Sequence, residues 1–146
     1  MITIRVAKAD DLEQIAVLFD EFRKFYAQNS DIDGAKAYLK ERMNNNESII
    51  FVAKNEEKLI GFIQMYPTFS SVSMMNDMIM NDLYVFPEYR KKGIGKALLE
   101  TAKKFSKDNN YKGLWVETAN DNPARSLYEH LGWEKDVSFV HYYWQE

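Results

Sequence analysis

The chain has 146 residues, of which 46% are hydrophobic and 28% charged, a balance that excludes a disordered chain and implies one domain spanning residues 1–146 with a sizeable core. The absence of cysteine excludes a disulfide framework, a thiolate metal site and a cysteine nucleophile. A formal net charge of −3 argues against a nucleic-acid partner, and neither a membrane-length apolar run nor a signal-peptide pattern is present, so a cytoplasmic protein without a membrane partner is expected.

Ile2 to Val6 alternates as an opening strand. Asp10, with Glu13 three residues later, forms a capping-box pattern for a helix whose Leu12, Ile15, Phe19, Phe22 and Tyr26 fall on one face. A second helix is expected from about Asp33 to Met43. Ile49 to Ala53 and Leu59 to Tyr66 read as a hairpin turning around Asn55-Glu56-Glu57. Pro67 to Ser73 then reads as a loop, and Met78 to Phe86 as a central strand ended by Pro87. An amphipathic helix follows from Ile94 to about Lys107, then a short strand at Leu114 to Thr118. The next helix is introduced by Asn120, Asp121 or Asn122 as cap, with Pro123 in its first turn and Gly132 as its left-handed C-terminal cap. Ser138 to Trp144 reads as a final strand. Strands interleaved with helices and hairpins give an α/β class with a mixed sheet.

The stretch Arg90-Lys91-Lys92-Gly93-Ile94-Gly95-Lys96 carries the clearest chemical signal. It joins a strand to a helix start, where backbone N–H groups lack intrahelical partners and the dipole favours an anion. Gly93 and Gly95 let a ligand approach the main chain closely, and the lysines and arginine add positive charge. A P-loop is excluded because Ala97 follows Lys96 where Ser or Thr is required. A dinucleotide fingerprint is excluded because Leu98 stands where a third glycine belongs. The Arg-x-x-Gly-x-Gly turn that remains resembles motif A of the GNAT acetyltransferase superfamily. Asn120 to Trp133, with Ala124, the Leu127-Tyr128 pair and Gly132 before an aromatic, resembles motif B of the same superfamily. The two occur in the expected order, and the likeness extends over about Met78 to Trp133 and more loosely over the whole chain.

The resemblance implies the acyl-CoA N-acyltransferase fold, a central, mixed and mostly antiparallel sheet flanked by helices, with acetyl-CoA as cosubstrate and no metal. It implies that the Arg90 to Lys96 turn binds the pyrophosphate, and that the main chain of Leu83, Tyr84 and Val85 pairs with the pantetheine arm. Tyr128 matches the tyrosine that protonates the departing sulfur, since a phenol stays protonated at neutral pH where a thiol is near 8.5. Asn122 is the candidate cofactor contact on the second motif, with Asn120 as rival. Proton removal from the amine falls to Asp82, with Glu21 and Glu117 as weaker rivals, because Asn81 stands where many relatives carry Glu. Glu21, Phe22, Tyr26, Phe69, Tyr142 and Tyr143 are candidates for the acceptor site, offering a carboxylate and aromatic faces to a cation. His130 and His141 read as structural. A small-molecule amine is the expected acceptor. A protein lysine or N-terminus, or a non-catalytic CoA-binding role, is the alternative. Dimers are common among relatives, and the aromatic C-terminal strand is the candidate contact between copies.

Overall fold

The computed structural model describes all residues, Met1–Glu146. A five-stranded sheet runs in chain order: β1 (Ile2–Val6), β2 (Ile49–Asn55), β3 (Lys58–Ser70), β4 (Met75–Val85) and β5 (Leu114–Trp115). The first four pair antiparallel, and β5 joins β4 in parallel. Helices α1 (Leu12–Phe25) and α2 (Ile32–Asn44) precede β2, α3 (Ile94–Asp108) links β4 to β5, and α4 (Ala124–His130) follows. The mixed, mostly antiparallel sheet flanked by helices is the architecture expected from the sequence. No helix is long and apolar enough to cross a membrane.

The sheet separates two cores. On one face Ile15, Leu18 and Phe19 of α1 and Leu39 of α2 pack on Ile50, Val52, Phe62 and Tyr84. On the other, Ile94, Leu98, Leu99 and Ala102 of α3 and Tyr128 of α4 pack on Ile63, Met65, Met78, Met80 and Val85. Neighbours such as Phe62 and Ile63 therefore serve opposite cores, as strand alternation requires. Each fully buried large apolar side chain contributes about 1.5–3 kcal/mol.

Several local expectations are corrected. Asp10 does not cap α1. A single 3₁₀ turn at Ala9–Asp11 comes first, and Asp11 occupies the N-cap position. Its carboxylate accepts the Lys8 N–H at 2.8 Å and two hydrogen bonds from Arg5 at 2.7 and 3.0 Å. Helix α2 starts one residue before its expected position and is capped by Asp31, whose Oδ1 accepts the Gly34 N–H at 2.9 Å. Only the end of the expected Pro67 to Ser73 loop is a turn: β3 runs on to Ser70, with Pro67 paired to Met78, and Ser71 to Ser73 lie in the turn to β4. The β2–β3 ladder ends at Met65, so at Pro67 no donor is required on that edge. The strand expected to be central is the fourth of five. β5 has two residues where five were expected, and Ser138 to Trp144 forms no strand.

Candidate active site

β4 and β5 touch only at Met78–Leu114 and Ile79–Trp115. Beyond that point β4 has no strand partner on its β5 side. The β3–β4 register slips at the same place: Gln64 faces Asp82 while Met65 faces Met80, leaving Asn81 as an extra residue. A bulge of this kind bends its strand and increases its twist. The result is a cleft of about 360 Å³ between the diverging strands. Its walls are β4 from Met80 to Val85, the α3 turn, Val116 to Thr118, α4, and the end of α1.

The turn before α3 is built from its own sequence. Lys91 and Gly93 both take positive φ, +62° and +80°. Gly93 is the N-cap and supplies no side-chain cap, so the first N–H groups of α3 remain available to an anion. A Cβ at Gly93 would meet nothing within 4 Å, and one at Gly95 would meet only Leu127 Cδ2 at 3.6 Å. Neither glycine is demanded by protein packing: the first is held by its positive φ, and the space above the second is open to a ligand. Arg90 has a structural task, since its Nε donates to the Val85 carbonyl at 2.8 Å and its guanidinium lies 5.1 Å over the Tyr84 ring. It locks the turn to the end of β4. Of the turn residues expected to hold the cofactor, Arg90, Lys91, Gly93, Ile94, Gly95 and Lys96 line the cleft. Lys92 does not, its ammonium standing 5.4 Å over the Tyr89 ring.

Leu83, Tyr84, Val85, Asn122 and Tyr128 also line the cleft. Asn122 Oδ1 accepts the Ala124 N–H at 2.9 Å, capping α4, while Nδ2 donates to the Tyr26 hydroxyl at 3.3 Å. This contact ties the end of α1 to the α4 loop across the cleft. Tyr128 is 8% exposed and packs 5.5 Å from the Trp133 ring. Burial, reinforced by Tyr26 nearby, pushes its phenol up to about 12.

Asp82 is placed differently. It is 1% exposed and accepts a short hydrogen bond from Gln64 Nε2. Burial pushes its carboxyl up to about 7, opposed by that hydrogen bond. Its side chain shares the α1–α2 face of the sheet with Phe62 and Tyr84 and does not line the cleft. Its link to the cleft is Tyr26, whose phenol is raised by burial first and also by the Asp82 charge, against the Asn122 hydrogen bond. Of the acceptor-site candidates Phe22 and Tyr26 line the cleft. Glu21 is paired with Lys24 at 2.6 Å, and Phe69 is 81% exposed on the β3–β4 hairpin.

Sequence reasoning missed Gln64, although a lone amide inside the apolar run Leu59 to Met65 was a readable signal. It also missed the hydroxyl pair of Tyr38 and Tyr66 at 2.8 Å on the Asp82 side of the sheet, and Phe25 in the cleft wall. Neither carries a sequence signal, because both depend on how α1 and α2 dock.

Residues 15–133 match the acetyltransferase (GNAT) family. The uncharacterized N-acetyltransferase YhfO of Bacillus subtilis is 51% identical over 140 residues, covering 95% of this chain and 94% of that protein. Among solved structures, a probable acetyltransferase superposes with a TM-score of 0.92 at 33% identity, covering 99% of this chain and 97% of that one. The aminoglycoside N-acetyltransferase AAC(6')-Iy in complex with CoA has the same fold, with a TM-score of 0.83 at 18% identity over 99% of this chain and 95% of that one.

Proposed function

Because this chain belongs to the acetyltransferase (GNAT) family, we propose that it moves the acetyl group of acetyl-CoA to a primary amine of a small molecule, by direct attack in a ternary complex. The observation that carries the reading is the cleft itself: diverging strands, a glycine-containing helix start at one end and a buried phenol in the wall. That a neighbour of the same fold is described in complex with CoA supports the choice of cosubstrate.

The first N–H groups of α3, with Lys91 and Lys96, hold the pyrophosphate. The unpaired edge of β4 at Leu83 to Val85 aligns the pantetheine arm, and a main-chain N–H there polarises the thioester carbonyl. Acetyl-CoA supplies the activated acyl group. As the amine nitrogen bonds to the acyl carbon and the carbon–sulfur bond breaks, Tyr128 donates its hydroxyl proton to the sulfur, and the proton that the newly bonded nitrogen sheds returns to the phenolate through solvent. A phenol held near 12 stays protonated over the working range and remains a donor. Asp82 takes the ammonium proton. Because it stands outside the cleft wall, the proton reaches it through water past Tyr26. Tyr26, Phe22 and Phe25, at the end of α1, present aromatic faces to the incoming cation.

Free-thiol release from acetyl-CoA by the pure protein tests the reading. The panel is spermidine, free amino acids, aminoglycosides and a lysine-containing peptide. Turnover with one of the small amines is expected. Turnover with the peptide alone would replace the small-molecule reading with protein acetylation. Failure of acetyl-CoA to bind in calorimetry would remove the cleft assignment.

A further inference from the structure

The cleft has two unlike ends. At the α3 turn it is cationic, with Arg90, Lys91 and Lys96 in its walls, whereas the end formed by α1 is aromatic. There Tyr26 packs edge-on against Phe22, with 5.0 Å between ring centroids, and against Phe25, with 5.2 Å. Phe22 in turn meets the buried Phe62 edge-on at 6.2 Å, and the Asn122 amide holds the Tyr26 hydroxyl at 3.3 Å. The rings are fixed by one another before any ligand arrives. Yet Phe25 is 56% exposed and Tyr26 44%. A contiguous aromatic surface left open at the mouth of a cleft is a surface for a ligand.

The charges around this end select among amines. Glu117 is the one carboxylate in the cleft wall, and its Oε1 stands 3.1 Å from His141 Nε2. The acids of α1 nearest this end are engaged elsewhere: Glu21 with Lys24 at 2.6 Å, and Asp20 with the Ser30 hydroxyl and the Asp31 N–H, both at 2.7 Å. The reacting ammonium turns neutral as it loses its proton, so it needs no fixed counter-ion. A second ammonium on the same molecule would keep its charge, and an aromatic face attracts a cation too weakly to replace the water it gives up. An acceptor carboxylate fares no better. Arg90 is bound to the Val85 carbonyl and lies over the Tyr84 ring. Arg23 and Lys24 of α1 are bonded to the Asn29 carbonyl and to Glu21.

Resting on the acetyl transfer proposed above, we infer that the acceptor is an arylalkylamine, a molecule whose only charge is the reacting ammonium and whose aromatic ring lies against Phe22, Phe25 and Tyr26. The ammonium gives one proton to Asp82, which passes it to solvent. The freed nitrogen bonds to the acyl carbon as the carbon–sulfur bond breaks, and the sulfur leaves as a thiol with the Tyr128 proton. The nitrogen's next proton restores the phenol through solvent, so the products are a neutral N-acetyl arylalkylamine and CoA. Tyr26 joins the two parts of the site, since it belongs to the aromatic wall and also raises the Tyr128 phenol. The ring therefore sits beside the sulfur donor.

Initial rates at saturating acetyl-CoA compare phenethylamine with three controls. Ethylamine lacks the ring, phenylalanine adds a carboxylate, and spermidine adds further ammonium groups. kcat/KM should be at least tenfold higher for phenethylamine than for each control. Phe25→Ser, at the exposed end of α1, should cut the ratio of phenethylamine to ethylamine at least fivefold. Spermidine or phenylalanine as the better acceptor, or a ratio untouched by Phe25→Ser, would overturn the aryl acceptor while leaving acetyl transfer intact. Should no amine turn over, calorimetric titration of the acetyl-CoA-bound protein decides. Phenethylamine binding at least tenfold tighter than spermidine upholds the ring subsite, and equal or weaker binding overturns it. Failure of acetyl-CoA itself to bind removes the transfer reading, and this acceptor with it.

Discussion

Replacing Asp82 with asparagine should make the protein more stable and less active at once. Burial raises the carboxyl from 3.8 to about 7. The folded state therefore holds a proton that the unfolded chain has already released, and stability declines as pH rises from about 4 to about 7. Each pKa unit corresponds to about 1.4 kcal/mol, so the ionised carboxylate costs about 4 kcal/mol above pH 7 and about 2 kcal/mol at pH 5. Asparagine removes this cost. Its oxygen can accept from Gln64 Nε2, and its amide can donate to Gln64 Oε1, a buried atom that has no partner. The expected gain is on the order of 10 °C in Tm at pH 8, shrinking toward pH 5.

The same change should lower kcat/KM by roughly 10² to 10³, the range for losing a general base. The wild type should lose activity with a one-proton slope below about pH 7, to which burial raises the Asp82 carboxyl, and the variant should lack that limb. Thermal melts and thiol release, both from pH 5 to 9, give the two curves. An Asp82→Asn variant with unchanged Tm at pH 8 would refute the cost assigned to the buried carboxylate. One that keeps wild-type kcat/KM with the same acid limb would refute Asp82 as proton acceptor.

Gly95→Ala tests whether the glycine serves the ligand or the fold. Its Cβ would meet only Leu127 at 3.6 Å, so the helix should gain up to about 1 kcal/mol while acetyl-CoA affinity in calorimetry falls at least tenfold. Tyr128→Phe should reduce kcat by roughly 10- to 100-fold with little change in acetyl-CoA affinity, and stability should stay within about 0.5 kcal/mol because no hydrogen bond of the hydroxyl is lost. Asp11→Asn should erase part of the acid sensitivity of folding. The Arg5 hydrogen bonds, and that of the Lys8 N–H, hold the Asp11 carboxyl below its usual range against burial. Its stabilisation is present above about pH 4 and lost as pH falls through the lowered value. Acid titration followed by circular dichroism reads the difference.

The turn proposed to hold the pyrophosphate was legible because it depends on local sequence: two glycines, a basic run and a helix start lie within seven residues. The fate of residues 138–144 was half legible. Their strand character can be read from composition, but whether a strand finds a partner depends on how far β5 extends, and β5 stops at Trp115. The orientation of Asp82 was not legible at all. Counting by twos along β4 puts Met80, Asp82 and Tyr84 on one face. In the structure Met80 packs with α3, while Asp82 pairs with Gln64 on the side of α1 and α2. Asn81 causes the reversal. It is one residue more than β3 can match, and no residue type marks such an insertion in a single sequence.

That extra residue also joins the two halves of the proposed chemistry. β4 leaves β5 just before Asn81, which opens the cleft and frees the main chain of Leu83 to Val85 for a ligand. The same kink turns Asp82 out of the cleft into a buried position, where loss of water raises its proton affinity into the range useful for a base. A strand paired without the bulge would keep β5 alongside and point Asp82 at the α3 core. The cleft and the tuned carboxylate are therefore one structural event. A deletion of Asn81 should abolish acetyl-CoA binding and shift the Asp82 titration together, while a change to either feature alone would show that they are separable.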